Sequence, residues 1–303
     1  MTARFATIDI GTNTVLLLVA ERTADGTFLP IRERAEITRL GQGVDASGAL
    51  SPEAMERTLT VLERFADEAR GLSVLVPAVV ATSACRDARN TADFIAAARA
   101  RAGLDVEVIS GDEEARLSFL ATARSFPGAG LTVLDIGGGS TELMAGDRTG
   151  QVTFRQSFDV GSVRLTERFA KHGPQAREAT EAFVANAFAR VSKVEPGSSL
   201  IGTAGTVTTV CAMALGLETY DAAQVHGAAL TRAQVEDVAN RLWAASLDER
   251  RRMKGLDPKR ADVMPSGALI LLGAMSAVGA GQLTVNDRGL RWGVLLDRWG
   301  KTI

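Results

Sequence analysis

The sequence predicts an α/β protein built twice over, as two domains of one design. Three observations predict it. First, the chain has 303 residues, more than one typical core and suited to two domains of about 150. Second, a string recurs. Phe5-Ala6-Thr7-Ile8-Asp9-Ile10-Gly11-Thr12-Asn13-Thr14 is matched by Leu131-Thr132-Val133-Leu134-Asp135-Ile136-Gly137-Gly138-Gly139-Ser140. Each is an apolar run, then Asp-Ile-Gly, then small residues. The register continues past the turn, with Arg22-Thr23 answering Arg148-Thr149 and Thr27-Phe28 answering Thr153-Phe154. Third, each copy opens the same order of elements, three strands followed by helices alternating with strands.

The elements can be justified in turn. Residues 5–10 and 15–20 are β-branched or leucine-rich and flank a turn, which predicts a hairpin. Residues 28–40 read as a third strand, closed by Gly41-Gln42-Gly43. Ser51-Pro52-Glu53 is a helix start, with a serine cap, proline in the first turn and an acid beside it. Met55, Leu59, Leu62, Phe65 and Ala66 then recur at helical spacing as far as Gly71. Val74 to Ala81 is a continuous apolar strand of the buried kind. Asn90 caps an alanine-rich helix ending near Gly103, and Val106 to Ile109 is a strand. Gly111 opens a helix whose first turn holds Asp112, Glu113 and Glu114, where the helix dipole favours acids.

The second half begins again at residue 131 with three strands. Helices are expected near 161–172 and 175–193. Ser199-Leu200-Ile201 is a strand leading into Gly202-Thr203-Ala204-Gly205-Thr206 and a helix. Helices fill 232–275, Leu283 to Val285 is a late strand, and 291–303 a terminal helix. Two βββαβαβα halves describe the duplicated actin-like ATPase (ribonuclease H-like) fold, with a cleft between its domains. The expected domains are residues 1–124 with 291–303 returning, and 125–290. Fold alone does not fix function, but two such turns facing one cleft suit phosphates and a divalent metal.

Composition excludes several classes. The chain is 46% hydrophobic and 23% charged, ordinary for a folded soluble protein. Its longest strongly apolar run, Leu269 to Met275, falls well short of the roughly 20 residues of a membrane helix. No signal peptide is expected, since a strand pattern follows Arg4 directly. Cys85 and Cys211 are far apart, which argues for a reducing cytoplasm without disulfides or a zinc site. Net charge is −2, against nucleic-acid coating. A basic cluster, Arg250-Arg251-Arg252, Lys254, Lys259 and Arg260, is either a solvated helix face or a local field that draws anions.

Five strings carry candidate chemistry. Around Gly11, Thr12, Asn13 and Thr14, small residues let backbone amides approach a phosphate, and Asp9 can face a metal or its water shell. Gly137, Gly138, Gly139 and Ser140 form a second such turn. Three consecutive glycines are entropically costly, and this turn repeats the first, so a phosphate cradle is the better reading. Asp135 and Glu142 are then metal- or water-positioning carboxylates. Gly205 and Thr206 lie at a strand-to-helix joint that is either a third phosphate loop or a plain glycine-rich connection. Finally, Arg86 and Arg89 in Thr82–Asn90 suit phosphate oxygens, while Asp112, Glu113 and Glu114 read on spacing alone as dipole complements. Cys85 is read as a packed small hydrophobe, and His226 as structural.

Taken together, the strings IDIGTNT, RLGQGV, ATSACRDARN, VISGDEEARL, LDIGGGSTEL, GSVRLTERF, GTAGTVTT and DRGLRWGVL resemble the exopolyphosphatase and guanosine pentaphosphate phosphohydrolase (Ppx/GppA) family along the whole chain. The resemblance implies hydrolysis of a terminal phosphoanhydride with Mg²⁺ (or Mn²⁺), a monovalent cation being a further candidate cofactor. It places the catalytic base on Glu114, a catalytic arginine on Arg86, and metal-linked carboxylates on Asp135 and Glu142; Asp9, read from its own turn, is a third candidate. The implied substrate is polyphosphate or guanosine pentaphosphate, with no nucleic acid or membrane as partner. Family members are often dimers, so a homodimer is a candidate assembly.

The chain departs from the family pattern at two places. Asn286-Asp287 replaces a serine-aspartate pair, and Trp292 replaces a glutamate. Long members carry extra C-terminal helical domains, and a chain ending here favours short polyphosphates. Two other readings of the fold are a kinase transferring phosphate from ATP to a small acceptor and a non-catalytic sensor of a guanosine alarmone. The basic cluster is expected to guide long polyanions more than short ones.

Overall fold

The structure is a computed structural model that describes residues 3–74, 76–126, 130–147, 149–191 and 199–300. The chain divides into two compact units. One is Met1–Ala121 with Leu290–Ile303, and the other is Thr122–Gly289.

In the first unit a five-stranded sheet is formed by β1 (Arg4–Ile10), β2 (Thr14–Arg22), β3 (Phe28–Ile37), β4 (Ala78–Ala81) and β5 (Val106–Val108), in the order β3-β2-β1-β4-β5. β1, β2 and β3 are antiparallel neighbours, whereas β4 and β5 run parallel to β1. Helices α1 (Val44–Ser47), α2 (Pro52–Gly71), α3 (Ser83–Asp87), α4 (Thr91–Ala102) and α5 (Gly111–Ser125) connect them. Strand alternation separates two faces. Ile8, Ile10, Leu17 and Val19 pack with Leu62 and Phe65 of α2 and Phe94 of α4. Each such side chain contributes about 1.5–3 kcal/mol when fully buried. Leu18 and Ala20 point the other way, where Trp292 and Leu295 cover them.

The second unit carries β6 (Leu131–Ile136), β7 (Thr141–Gly146), β8 (Val152–Phe158), β9 (Ser199–Thr203), β10 (Ala229–Thr231) and β11 (Gln282–Asn286). Its order is β10-β11-β9-β6-β7-β8, the first sheet repeated with β10 added at the edge. Its helices are α6 (Ser162–Phe169), α7 (Ala176–Phe188), α8 (Ala204–Ala214), α9 (Ala222–Val225), α10 (Arg232–Ala244), α11 (Leu247–Arg250) and α12 (Met264–Ala277). α13 (Leu290–Trp299) belongs to the first unit, where the Thr7 hydroxyl donates to the Arg291 carbonyl over 2.9 Å. The two mixed sheets with this matching order are the duplicated actin-like ATPase fold. No helix among the described residues is long and apolar enough to cross a membrane.

Several expected boundaries move, each for a local reason. The strand expected over Val74–Ala81 is Ala78–Ala81, because the Val74 amide turns back to the Ala69 carbonyl and closes α2. Residue 75 lies outside the described residues. β3 stops at Ile37 because the amides of Thr38 and Arg39 leave the ladder for the Asn13 carbonyl. Serine 51 caps α2 as expected, its Oγ accepting from the Ala54 amide. Asn90 stands at the start of α4 but pairs its side chain with the Leu50 backbone instead. The helix expected over 161–172 ends at Phe169, and Gly173-Pro174 divide it from α7 by a 3₁₀ turn. Residues 192 and 193 of the next expected helix lie outside the described residues, as do Arg148 of the repeat and 301–303 of the terminal helix. The expected helical run 232–275 is broken, with Thr231 and Ser246 each starting a new helix through a capping box. β10 was not expected; it is three residues ending at that first cap.

Candidate active site

In the first unit the parallel strands bring three strings to one sheet edge. Asp9 registers with Val80, and Ile10 with Ala81, which in turn registers with Val108. Past the strand ends the Thr82 amide donates to the Ile10 carbonyl and the Ile109 amide to the Ala81 carbonyl. The turn after β1, the Thr82–Arg86 string and the start of α5 therefore share the carboxyl ends of β1, β4 and β5, the usual ligand end of such sheets.

The β1–β2 turn is a two-residue hairpin closed by Gly11 N–H to Thr14 O at 3.0 Å. Its carbonyls are held from behind. Thr12 O accepts from Gly41, and Asn13 O from both Thr38 and Arg39. Gly41 must be glycine, since a Cβ there would stand 2.3 Å from the Thr12 methyl. Arg39 is held at φ 55°, a left-handed conformation that a non-glycine residue adopts at a cost of order 1–3 kcal/mol. Among the described residues the Thr12 and Asn13 amides meet no backbone acceptor. Thr12 and Asn13 themselves are buried.

Glu114 lies in the first turn of α5, which Ser110 caps by accepting the Glu113 amide. Arg86 ends α3. Its Nη1 donates to Glu114 Oε2 at 2.6 Å and to the Ile109 carbonyl at 3.0 Å. The side chains are 21% and 13% exposed, so the pair is largely withdrawn from water and its hydrogen bond is of the strong, charge-assisted kind. Glu113 instead makes an outer ion pair with Arg116. Of the acids in this turn, only Glu114 is oriented by Arg86 among the contacts described. Arg89 turns away to the Ser47 carbonyl. Cys85 is buried, and burial pushes its thiol up to about 12 against the opposing charge of Arg86, which rules out a thiolate nucleophile at neutral pH.

The second unit repeats the turn. Gly137 N–H donates to Ser140 O at 2.9 Å, leaving Gly138-Gly139 as the loop. Asp135 and Glu142 stand directly opposite each other on β6 and β7, so their side chains leave the same face of the sheet. Both are buried, and the Ser157 hydroxyl donates to Glu142 Oε1 at 2.8 Å. Asp9 has Leu16 opposite it instead. Two buried carboxylates in this register repel, and a cation relieves them. Their hard oxygen donors fit Mg²⁺ or Mn²⁺. Among the described residues no group of three metal-ligating side chains occurs, and Mg²⁺ is commonly held by one or two carboxylates with waters and phosphate oxygens.

The third string sits beside the second, because Thr203 registers with Asp135. Ala204 takes φ 69° to turn the chain into α8. Gly205 faces the Arg260 guanidinium so closely that a Cβ would lie 2.3 Å from Nη1. Thr206 is buried against Gly267. Arg260 thus belongs to this strand-to-helix joint rather than to a surface patch. Burial lowers its pKa, while the charges of Asp257 and Tyr220 raise it. The rest of the basic cluster is largely answered locally. Arg251 pairs with Asp248, Lys254 with Glu218, and Arg250 Nε with the Leu242 carbonyl. Sequence reasoning missed the placement of Arg164, whose Nε donates to the Gly139 carbonyl at 2.7 Å, and that of Arg260. Neither has a spacing signal, and only tertiary packing brings each to a turn. Trp292 is a core residue, and Asn286 is fully buried, its amide donating to Thr122 Oγ1 and the Arg288 carbonyl.

Each unit thus carries a glycine-containing turn at the carboxyl end of its first strand, with an arginine-held glutamate in the first unit and a buried carboxylate pair in the second, features suited to a phosphoanhydride hydrolase. The comparisons with known proteins agree. The model of the Ppx/GppA phosphatase family matches residues 18–302, and the chain belongs to that family. It is 35% identical over 322 residues to Exopolyphosphatase 2 of Mycobacterium tuberculosis, covering 98% of this chain and 99% of that one. It is 32% identical to a bifunctional 3-dehydroquinate synthase/phosphatase of Fusobacterium nucleatum, spanning 46% of that protein. Among solved structures it resembles the Ppx/GppA family member of Aquifex aeolicus (TM-score 0.81, 32% identity, 98% of each chain). It also resembles an exopolyphosphatase of Cytophaga hutchinsonii (TM-score 0.87, 26% identity, 98% of each chain).

Proposed function

We propose that the chain is an exopolyphosphatase that hydrolyses the terminal phosphoanhydride of inorganic polyphosphate and releases orthophosphate. The observation that carries this reading is Glu114, a carboxylate at the ligand end of the sheet, oriented by Arg86 beside a phosphate-type turn. A glutamate so held suits water as the attacking group. Its carboxylate takes the proton as the water oxygen bonds to phosphorus and the bridging oxygen leaves with the shortened chain. Such base catalysis is typically worth about 10²–10⁴-fold.

Phosphate polyanions resist attack, so positioning and charge neutralisation supply most of the rest. The amides around Gly11–Thr14 and Gly137–Ser140 serve as phosphate donors, with Gly205 and Thr206 at the α8 start as a further element. Asp135 and Glu142 would hold Mg²⁺ or Mn²⁺, which would supply neutralisation of the phosphoryl oxygens, and Asp9 is the carboxylate of the first unit's turn. Arg86 contributes a fixed positive charge.

The names of the relatives in Mycobacterium tuberculosis and Cytophaga hutchinsonii support polyphosphate as substrate. Short chains are favoured in this reading, because local acids already pair with Arg251 and Lys254 and leave little basic track for a long polyanion. The same terminal chemistry serves guanosine pentaphosphate, the second substrate in the family's name. The test is phosphate release, without an acceptor, from short polyphosphate, long polyphosphate and guanosine pentaphosphate side by side. Fastest release from short polyphosphate is expected. Faster release from the nucleotide would transfer the assignment to it, and transfer only to an added acceptor would make the protein a kinase.

A further inference from the structure

We propose that Arg164 is a positioning residue for phosphate, acting by aiming the last amide of the glycine turn; this rests on reading that turn as phosphate-holding. The peptide bonds here are trans, so each carbonyl points opposite to the N–H of the next residue. The start of α6 grips three successive carbonyls of the turn. Ser162 N–H donates to Gly137 O at 3.1 Å, and Val163 and Arg164 N–H donate to Gly138 O at 2.9 and 3.1 Å. The third, Gly139 O, accepts from Arg164 Nε at 2.7 Å. With the carbonyls drawn to one side, the amides of Gly138, Gly139 and Ser140 face the other, a run of donors of the kind that binds anions.

The packing leaves little room for another arrangement. A Cβ on Gly161 would stand 2.3 Å from Gly138 O, so only glycine lets α6 approach. The first two carbonyls are held by main chain, which most substitutions preserve. The third is held by a side chain, so among the described residues it is Arg164 that aims the Ser140 amide through that carbonyl. The Arg164 side chain is 13% exposed and lies 3.8 Å from Asp159, itself 86% exposed. The first unit solves the same problem differently. There Asn13 O, the equivalent carbonyl, accepts from the main-chain amides of Thr38 and Arg39.

The experiment is calorimetric binding of inorganic phosphate to the full chain, with hydrolysis of polyphosphate measured in parallel. Arg164→Met keeps the stem and removes the donor. It should weaken phosphate binding about tenfold and raise KM more than it lowers kcat. Arg164→Lys, which keeps charge and one donor, should fall between. Thr166→Ala is the control for loss of α6 anchoring, since Thr166 Oγ1 bonds the Ser162 carbonyl and Ser266; it should lower the melting temperature and leave phosphate binding within about twofold. Binding by Arg164→Met within twofold of wild type, equal loss in Thr166→Ala, or no phosphate binding by the wild-type chain would each overturn the proposal. Should Arg164→Met not fold, Arg164→Lys carries the test, with about threefold weaker binding expected and unchanged binding overturning it. Phosphate binding without polyphosphate hydrolysis would count against the substrate reading alone.

Discussion

One nitrogen of Arg86 joins the start of α5 to the end of β5: Nη1 donates to Glu114 Oε2 at 2.6 Å and to the Ile109 carbonyl at 3.0 Å. The sequence reading assigns Arg86 to phosphate and Glu114 to water as separate tasks. The contact couples them. Arg86→Ala removes a positive charge, the donor to the Ile109 carbonyl and one hydrogen bond that orients the glutamate. Single losses at Arg86 and Glu114 should therefore not add. A double-mutant cycle on kcat should show a coupling of about 0.5–3 kcal/mol, with the double variant close to the worse single one. Additive losses would mean that the two act independently.

Asp135 and Glu142 face each other across β6 and β7, and this register underlies the metal prediction. Asp135→Asn and Glu142→Gln should each weaken Mn²⁺ binding, followed by electron paramagnetic resonance, by at least about tenfold. Ser157→Ala removes the hydroxyl on Glu142 and should cost less than either. If Mn²⁺ binds both carboxylate variants as tightly as wild type, the cation sits elsewhere.

The basic cluster yields a prediction opposite to the one drawn from sequence. Arg251 and Lys254 are exposed and already paired with Asp248 and Glu218, and screened surface pairs exert little field at a distance. Neutralising Arg251, Arg252 and Lys254 together should change the KM for long polyphosphate by less than about twofold at 0.15 M salt. A selective loss on long chains would restore the steering role.

His226 makes stability depend on pH. Burial and the charge of Arg288 hold its pKa below the ordinary value, Asp287 offsetting only part, and its ring packs on Phe126 at 5.2 Å. The unfolded chain takes up the proton first as pH falls, so this contribution is intact above about pH 6.5 and is lost progressively below it. His226→Gln should flatten the fall of melting temperature between about pH 6.5 and 5. Parallel curves for the two proteins would show that another group sets the slope.

Much of this was readable in the chain. The Asp-Ile-Gly repeat pointed to two hairpins, and both close with the same glycine-to-residue-four hydrogen bond. The Ser51-Pro52 start and the acidic first turn of α5 were equally legible, because capping is a local matter. What was hidden depends on distant partners. Val74 reads as strand by composition yet closes a helix by one backbone bond. Arg260 reads as surface charge yet lies against Gly205. Arg164 reads as an ordinary helix-start residue, and only the fold places its Nε on Gly139.

The most direct test of the account is turnover by Glu114→Gln, which keeps the shape of the side chain and removes the base. With folding confirmed by circular dichroism, phosphate release from short polyphosphate should fall about 10²–10⁴-fold, equivalent to roughly 3–5 kcal/mol in the barrier. A variant that retains more than about a third of wild-type turnover would show that Glu114 is not the base.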